Sequence, residues 1–208
     1  MTIRSVLLFT AATLFSCSIS KANIISLSYQ DDGDGAIVCP NGWNGDTSAL
    51  DIYGRECMSG PAHVLGTITT DTEADPTLTL ASGVDNDTGF AWTGYQVNVV
   101  MSNPFTIVSG SPSVSSPSSD WNVSSTVEPT LQGSGLYSGK YEGTINLSDG
   151  TPLAVGDELD FSYAIHFSGS TSYSFTQEMI PTLVPEPSTL SLVLGGLLLG
   201  KLGVIRRR

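Results

Sequence analysis

Basic side chains are scarce in this 208-residue chain and unevenly placed. Of its 8 Lys and Arg, Arg4 and Lys21 lie near the start, and Lys201, Arg206, Arg207 and Arg208 near the end. Between residues 23 and 183 only Arg55 and Lys140 stand against 19 acidic side chains, a net charge of −17. Such a field repels nucleic acid and anionic lipid and attracts cations or basic partners; it also simply keeps a protein soluble. Histidine is nearly missing as well. His63 follows Pro61-Ala62 in a loop, and His166 falls on the polar side of an alternating stretch. Neither has a Gly-x-Ser-x-Gly elbow or a cysteine partner in view, which removes the common nucleophilic arrangements. Carboxylates are abundant, so a glycosidase pair survives counting, but abundance makes any chosen pair uninformative.

Cysteine is limited to three residues, and there is no Cys-x-x-Cys. If Cys17 is removed with the N-terminal segment, Cys39 and Cys57 remain as an even pair, expected to be a disulfide in an oxidising compartment. It would close the Gly-, Asn- and Asp-rich stretch from Pro40 to Glu56. Unstrained, such a bond stabilises by about 3 kcal/mol through the unfolded state. Helical periodicity is also absent over residues 23–183. Short runs of Val, Ile, Thr, Tyr and Phe recur instead, separated by Gly, Asn, Asp, Ser and Pro. Ten strands are expected: Ile24–Tyr29, Ala36–Cys39, Val64–Thr70, Thr77–Leu80, Tyr95–Met101, Phe105–Val108, Asn122–Val127, Glu142–Leu147, Leu159–Phe167 and Tyr173–Met179. From Leu159 to Phe167 the odd positions are apolar and the even ones small or polar, so one face is buried and one wet. Tyr173, Phe175 and Gln177 alternate with Ser174, Thr176 and Glu178 in the same way. The fold class is therefore all-β, an antiparallel two-sheet sandwich, immunoglobulin-like or jelly-roll. The Ser/Pro-rich piece Ser109–Ser119 is expected to be a solvated loop or an irregular edge strand.

The two ends differ from this middle. Residues 1–22 have the layout of a secretory signal peptide: Arg4, an apolar run from Val6 to Phe15, and small residues at Ser20 and Ala22 before Asn23. Leu14-Phe15-Ser16-Cys17 offers a competing lipobox reading, with bulky Phe15 against it. At the other end, Pro185-Glu186-Pro187 precedes an apolar run. Thr189–Ile205 is 17 residues, at the short end for a membrane-spanning helix, with Lys201 near its inner end. Arg206, Arg207 and Arg208 would stay cytoplasmic and stop the segment in the membrane. Two prolines bar helix, so residues 185–187 form a stiff extended strip beside the membrane, open to a protease or transpeptidase. A plain anchor on a proline-rich stalk is the simpler alternative.

The tail resembles the PEP-CTERM sorting signal of Gram-negative bacteria, on Val184, Pro185-Glu186-Pro187, Ser188-Thr189-Leu190, the Gly/Leu-rich run and the terminal arginines. Lys201 inside the apolar run is a mild departure. A softer resemblance to cargo of that family lies in Asn86-Asp87-Thr88-Gly89-Phe90-Ala91-Trp92-Thr93-Gly94-Tyr95 and in Leu159–Phe161 with Tyr163. The resemblance implies a signal peptide (1–22), a β-sandwich ectodomain (23–183) and a sorting signal (184–208; motif 184–188, helix 189–205, basic tail 206–208). It implies export by signal peptidase and the general secretion machinery, an inner-membrane intermediate, recognition by an exosortase, then release or attachment at the cell surface or extracellular matrix, often beside exopolysaccharide. It carries no catalytic residues.

Binding chemistry in the middle is sparse. Asp31-Asp32-Gly33-Asp34-Gly35 looks like the start of a calcium loop, but the aligned first and last ligands would be Gln30 and Asn41 and the flanks read β. An EF-hand is rejected; a weak calcium-binding turn at Asp31, Asp32 and Asp34 stays open. Trp43 and Trp121 could offer a sugar-stacking platform, whereas Trp92 reads as core; aromatics are only 8%, so no surplus favours a platform. Three readings result: a non-enzymatic, exosortase-sorted surface or matrix protein linked to exopolysaccharide or biofilm, a carbohydrate-binding module, and a secreted hydrolase.

Overall fold

The computed structural model describes residues 22–38, 44–46, 51–117 and 121–184. Twelve strands are present among them: β1 (Ile24–Asp31), β2 (Asn44–Asp46), β3 (Asp51–Met58), β4 (Ala62–Thr70), β5 (Thr77–Asn86), β6 (Trp92–Met101), β7 (Phe105–Ile107), β8 (Ser113–Ser116), β9 (Asn122–Leu131), β10 (Tyr141–Leu153), β11 (Glu158–Phe167) and β12 (Ser172–Leu183). They form a β-sandwich. One sheet runs β1-β4-β12-β6-β10-β9, the other β2-β3-β5-β11-β7, with β8 also on β11. The pairing is nested: β4 meets β12, β5 meets β11 and β6 meets β10, so strands early in the chain lie beside strands late in it.

The core is the product of alternation. Val64 and Ile68 of β4, Val97, Val99 and Met101 of β6, Ile145 and Leu147 of β10, and Tyr173, Phe175 and Met179 of β12 point inward from the first sheet. Leu78, Leu80 and Val84 of β5 and Leu159, Phe161, Tyr163, Ile165 and Phe167 of β11 meet them from the second. Tyr95 and Phe161 touch across the layers with ring centroids 5.7 Å apart. Fully burying an aliphatic or aromatic side chain contributes about 1.5–3 kcal/mol, so this alternation is the main driving force.

One expectation needs correcting. The second sheet is mixed, because β3 runs parallel to β5, from Asp51 against Thr79 to Met58 against Asn86. The stretch expected to be a loop closed by cysteines thus holds two strands, β2 and β3. It lacks the alternation that marks strands in sequence, and parallel pairing is recruited by β5 rather than by a local turn. Of the expected strand Ala36–Cys39, the described residues 36–38 contribute a bridge, Ile37 to Met58. Cys57 is disulfide-bonded. Its partner, Cys39 or Cys17, lies outside the described residues. Ser113–Ser116 does form the irregular strand, pairing β11 with a register shift.

The segment resembling cargo of the sorting family closes one end of the sandwich. Asn86 is fully buried and donates through Nδ2 to the carbonyls of Phe90 (2.8 Å), Leu153 (3.2 Å) and Ala154 (3.2 Å). Its Oδ1 accepts from Thr88 N (3.1 Å) and Thr88 Oγ1 (2.8 Å). Trp92 donates Nε1 to Thr88 Oγ1 at 2.9 Å and stacks on Tyr95 at 5.4 Å. Asn, Thr and Trp at this spacing therefore build a turn that seats an indole in the core.

Candidate functional site

The outer face of the first sheet should be the wet one, yet much of its middle is covered. Asn98 and Val100 of β6 are 5% and 1% exposed although they point away from the core. Register explains what gathers there. His63 of β4 lies opposite Glu178 of β12, Glu178 opposite Asn98, and Asn98 opposite Thr144 of β10. Four polar side chains thus share one rung across four strands. They are joined by hydrogen bonds: Thr144 Oγ1 to Asn98 Oδ1 at 2.9 Å, Asn98 Nδ2 to Glu178 Oε2 at 2.8 Å, and His63 Nε2 with Glu178 Oε1 at 3.1 Å. Gln96 Nε2 also donates to Asn98 Oδ1, at 2.8 Å.

The rung is extended beyond β4 by the acidic turn after β1. Asp32 N reaches the His63 carbonyl at 3.4 Å. Asp32 Oδ1 accepts from Asp34 N (3.0 Å), and Asp34 Oδ1 from Ala36 N (2.7 Å), two successive Asx turns. Gly33 and Gly35 have φ of +85° and +81°, a left-handed backbone that glycine adopts without penalty. Each aspartate thereby commits one oxygen to the loop and keeps the other, Oδ2, for His63. Those oxygens lie 3.3 Å and 4.0 Å from His63 Nδ1.

A pocket of about 250 Å³ opens beside this group, lined by Asp32, His63, Leu65, Leu136, Tyr137, Lys140 and Thr176. Its roof is the β9–β10 connection carrying Leu136, Tyr137 and Lys140. Burial, with the negative charges of Glu178, Glu142 and Asp32, pushes the Tyr137 hydroxyl up to about 12. Burial and then Glu178 push the Glu142 carboxyl above its ordinary range. The pocket's own lining carries one carboxylate, Asp32, and one ammonium, Lys140, while Glu178 and Glu142 act on it through Tyr137.

Other expected site residues fall elsewhere. Asp31 stands apart from the Asp32, Asp34 and His63 donors. Trp121 is 4% exposed and donates Nε1 to the Thr151 carbonyl at 2.9 Å, so its ring is spent in the core and cannot serve as a sugar platform. Trp43, Cys39, most of the signal segment, and the tail from Pro185 through Arg206, Arg207 and Arg208 lie outside the described residues. Among the described residues no helix is long and apolar enough to cross a membrane. Sequence reasoning found His63 neither a serine elbow nor a cysteine partner; its partners come from positions 32, 34 and 178. His63, expected in a loop, is the second residue of β4, and alternation placed only Glu178 on the polar side of its strand, so the shared rung was not foreseen.

No family profile, curated protein or solved structure matches the chain. The class that fold and site define is thus an acidic β-sandwich with a carboxylate–histidine cluster on its outer face.

Proposed function

We propose that the chain is an exported, non-enzymatic surface or matrix protein whose sandwich is delivered by its C-terminal sorting signal. The observation that carries this reading is where the last described strand ends. β12 sits in the middle of the first sheet, between β4 and β6, and runs to Leu183. Val184 N makes a last bond to the Ala91 carbonyl at 2.8 Å, and Pro185 is the next residue. The last strand thus ends two residues before the Pro-Glu-Pro motif. A cut near that motif by an exosortase would release an intact domain, to the surface or the extracellular matrix beside exopolysaccharide. Signal peptidase would act earlier, before Asn23, and the inner membrane would hold the intermediate through residues 189–205.

Two finer readings accompany it. The nested strand order is that of a long hairpin folded over into two layers, which favours the jelly-roll alternative over the immunoglobulin one. The bond from Cys57 goes to Cys39: Val38 N donates to the Cys57 carbonyl at 2.8 Å, one residue before Cys39. Carbohydrate binding has lost Trp121 and rests on Trp43 alone.

The test compares the wild type in its native host with a Pro185→Ala/Pro187→Ala variant, by intact mass and fractionation. A wild type lacking the segment after the motif and found at the surface or in the matrix, with the variant retained full length in the inner membrane, supports the reading. If both keep Arg208 and stay in the membrane, the tail is an ordinary anchor and the link to exopolysaccharide falls.

A further inference from the structure

We propose that Asp32, Asp34 and His63 form a binding site for one divalent transition-metal ion, of which zinc(II) is the best match. The claim is independent of how the tail is processed.

The argument starts from the histidine. His63 Nε2 is 3.1 Å from Glu178 Oε1, and a carboxylate can only accept, so Nε2 carries the proton. Nδ1 then presents a lone pair. That atom is buried and has no hydrogen-bond partner. It faces the unused oxygens of two aspartates, at 3.3 Å and 4.0 Å. A lone pair pressed against two carboxylates is unfavourable unless a positive centre lies between them. The three donor atoms lie within 4.8 Å of one another.

The donor set and its dimensions suit zinc. Zinc bonds imidazole nitrogen and carboxylate oxygen at about 2.0–2.2 Å, so neighbouring donors of a tetrahedral site stand about 3.4 Å apart. Asp32 and His63, 3.3 Å apart, already meet that spacing, and Asp34, on an exposed turn, has to close from 4.0 Å on His63 and from within 4.8 Å on Asp32. Calcium and magnesium take oxygen donors, and an imidazole in the set argues against both. The weak calcium turn expected from Asp31, Asp32 and Asp34 is thus replaced by a site that omits Asp31 and adds His63. Water would fill the fourth position, from the adjoining pocket.

The surroundings suit a ligating histidine. A metal-bound imidazole ordinarily donates its other N–H to a carboxylate, which fixes its tautomer and orientation. Glu178 takes that part, and is itself held by Asn98, which Thr144 and Gln96 hold in turn. This chain of bonds runs through the rigid middle of the sheet, whereas the two aspartates sit on a turn able to adjust.

The competing arrangement is a protonated His63 with Nδ1–H donating to Asp32, and the experiment separates the two. The untagged full-length chain, in detergent and stripped with a chelator, is titrated with zinc(II) by calorimetry, with cobalt(II) as a spectroscopic probe. The expected result is one site of micromolar or tighter affinity and a tetrahedral cobalt spectrum. Asp34→Asn, on an exposed turn outside the core, and His63→Gln should each weaken zinc about tenfold or more. His166→Gln should leave it unchanged. No saturable zinc binding below millimolar, wild-type zinc affinity in Asp34→Asn or in His63→Gln, or calcium binding tighter than zinc at this site would each overturn the proposal.

Discussion

Asn23 holds the Asp71 carboxylate with two donors: its backbone N reaches Oδ1 and its Nδ2 reaches Oδ2, both at 2.8 Å. Asp71 N returns a bond to the Asn23 carbonyl at 3.1 Å, closing a clasp where the sandwich begins. The Asn23 side chain, and then its backbone, hold the Asp71 carboxyl below its ordinary range. A depressed carboxyl contributes stability above its unfolded value, and that contribution is lost as pH falls through the folded one. Wild type should therefore be more stable than Asp71→Asn near neutral pH, with the gap closing below about pH 4. Thermal unfolding of both proteins across pH 3–7 measures this; a pH-independent gap would show that the clasp works by shape alone.

A second polar device joins the two sheets. Gln177 is fully buried, and its Oε1 accepts from Tyr163 Oη at 2.6 Å while its Nε2 donates to Ser82 Oγ at 3.2 Å. Gln177 belongs to β12 in the first sheet, Tyr163 and Ser82 to the second. Gln177→Ala removes packing and leaves two buried hydroxyls without this partner, a loss of about 3–5 kcal/mol. Tyr163→Phe removes one hydroxyl and leaves the ring, and should cost only about 1–2 kcal/mol. Urea unfolding midpoints at constant slope give both numbers, and equal losses would refute the bridge.

The Asn86 node makes a similar prediction at the end of the sandwich. Asn86→Ala removes a donor from the Phe90, Leu153 and Ala154 carbonyls, of which Phe90 keeps Thr88 Oγ1 and Ala154 keeps Asp157 N, and it frees the Thr88 hydroxyl that holds Trp92 from its anchor. The expected cost is about 2–4 kcal/mol. Because the loss includes the seat of Trp92, its fluorescence should shift toward solvent below the global unfolding midpoint.

Much of this was legible before the fold was known. The inward positions of β11 and β12, Leu159 through Phe167 and Tyr173 through Gln177, follow from period-two alternation alone. β3 was not legible, because a parallel strand recruited by β5 needs no local turn signal and this one shows no clean alternation. Trp121 misled for a different reason: an aromatic beside a Ser/Pro-rich stretch reads as surface, and only a tertiary bond from Nε1 to Thr151 shows it pointing inward. The Asp32–His63–Glu178 association was the least legible. Cross-strand register sets it, and register is a property of the whole sheet, not of any window of sequence.

The carboxylates around the pocket also predict how the protein answers to pH. Glu142 is raised by burial and then by Glu178. A group whose folded value is raised contributes stability that is fully present below its unfolded value, about 4.5, and lost as pH rises through the folded one. At neutral pH the chain therefore bears the charge of Glu142 at a cost. Glu142→Gln should raise the melting temperature at pH 7 and leave it nearly unchanged at pH 3–4. Tyr137, pushed up to about 12, obeys the same sign at the alkaline end: its contribution is complete below about pH 10 and falls away toward pH 12. Its hydroxyl is buried without a hydrogen-bond partner, so Tyr137→Phe should be neutral or mildly stabilising at pH 7. The same variant should flatten the loss of stability between about pH 10 and 12 relative to wild type. Guanidinium melts of both variants across the two ranges test the signs together. A Glu142→Gln protein less stable at pH 7 than wild type would mean that Glu142 is paired rather than repelled there.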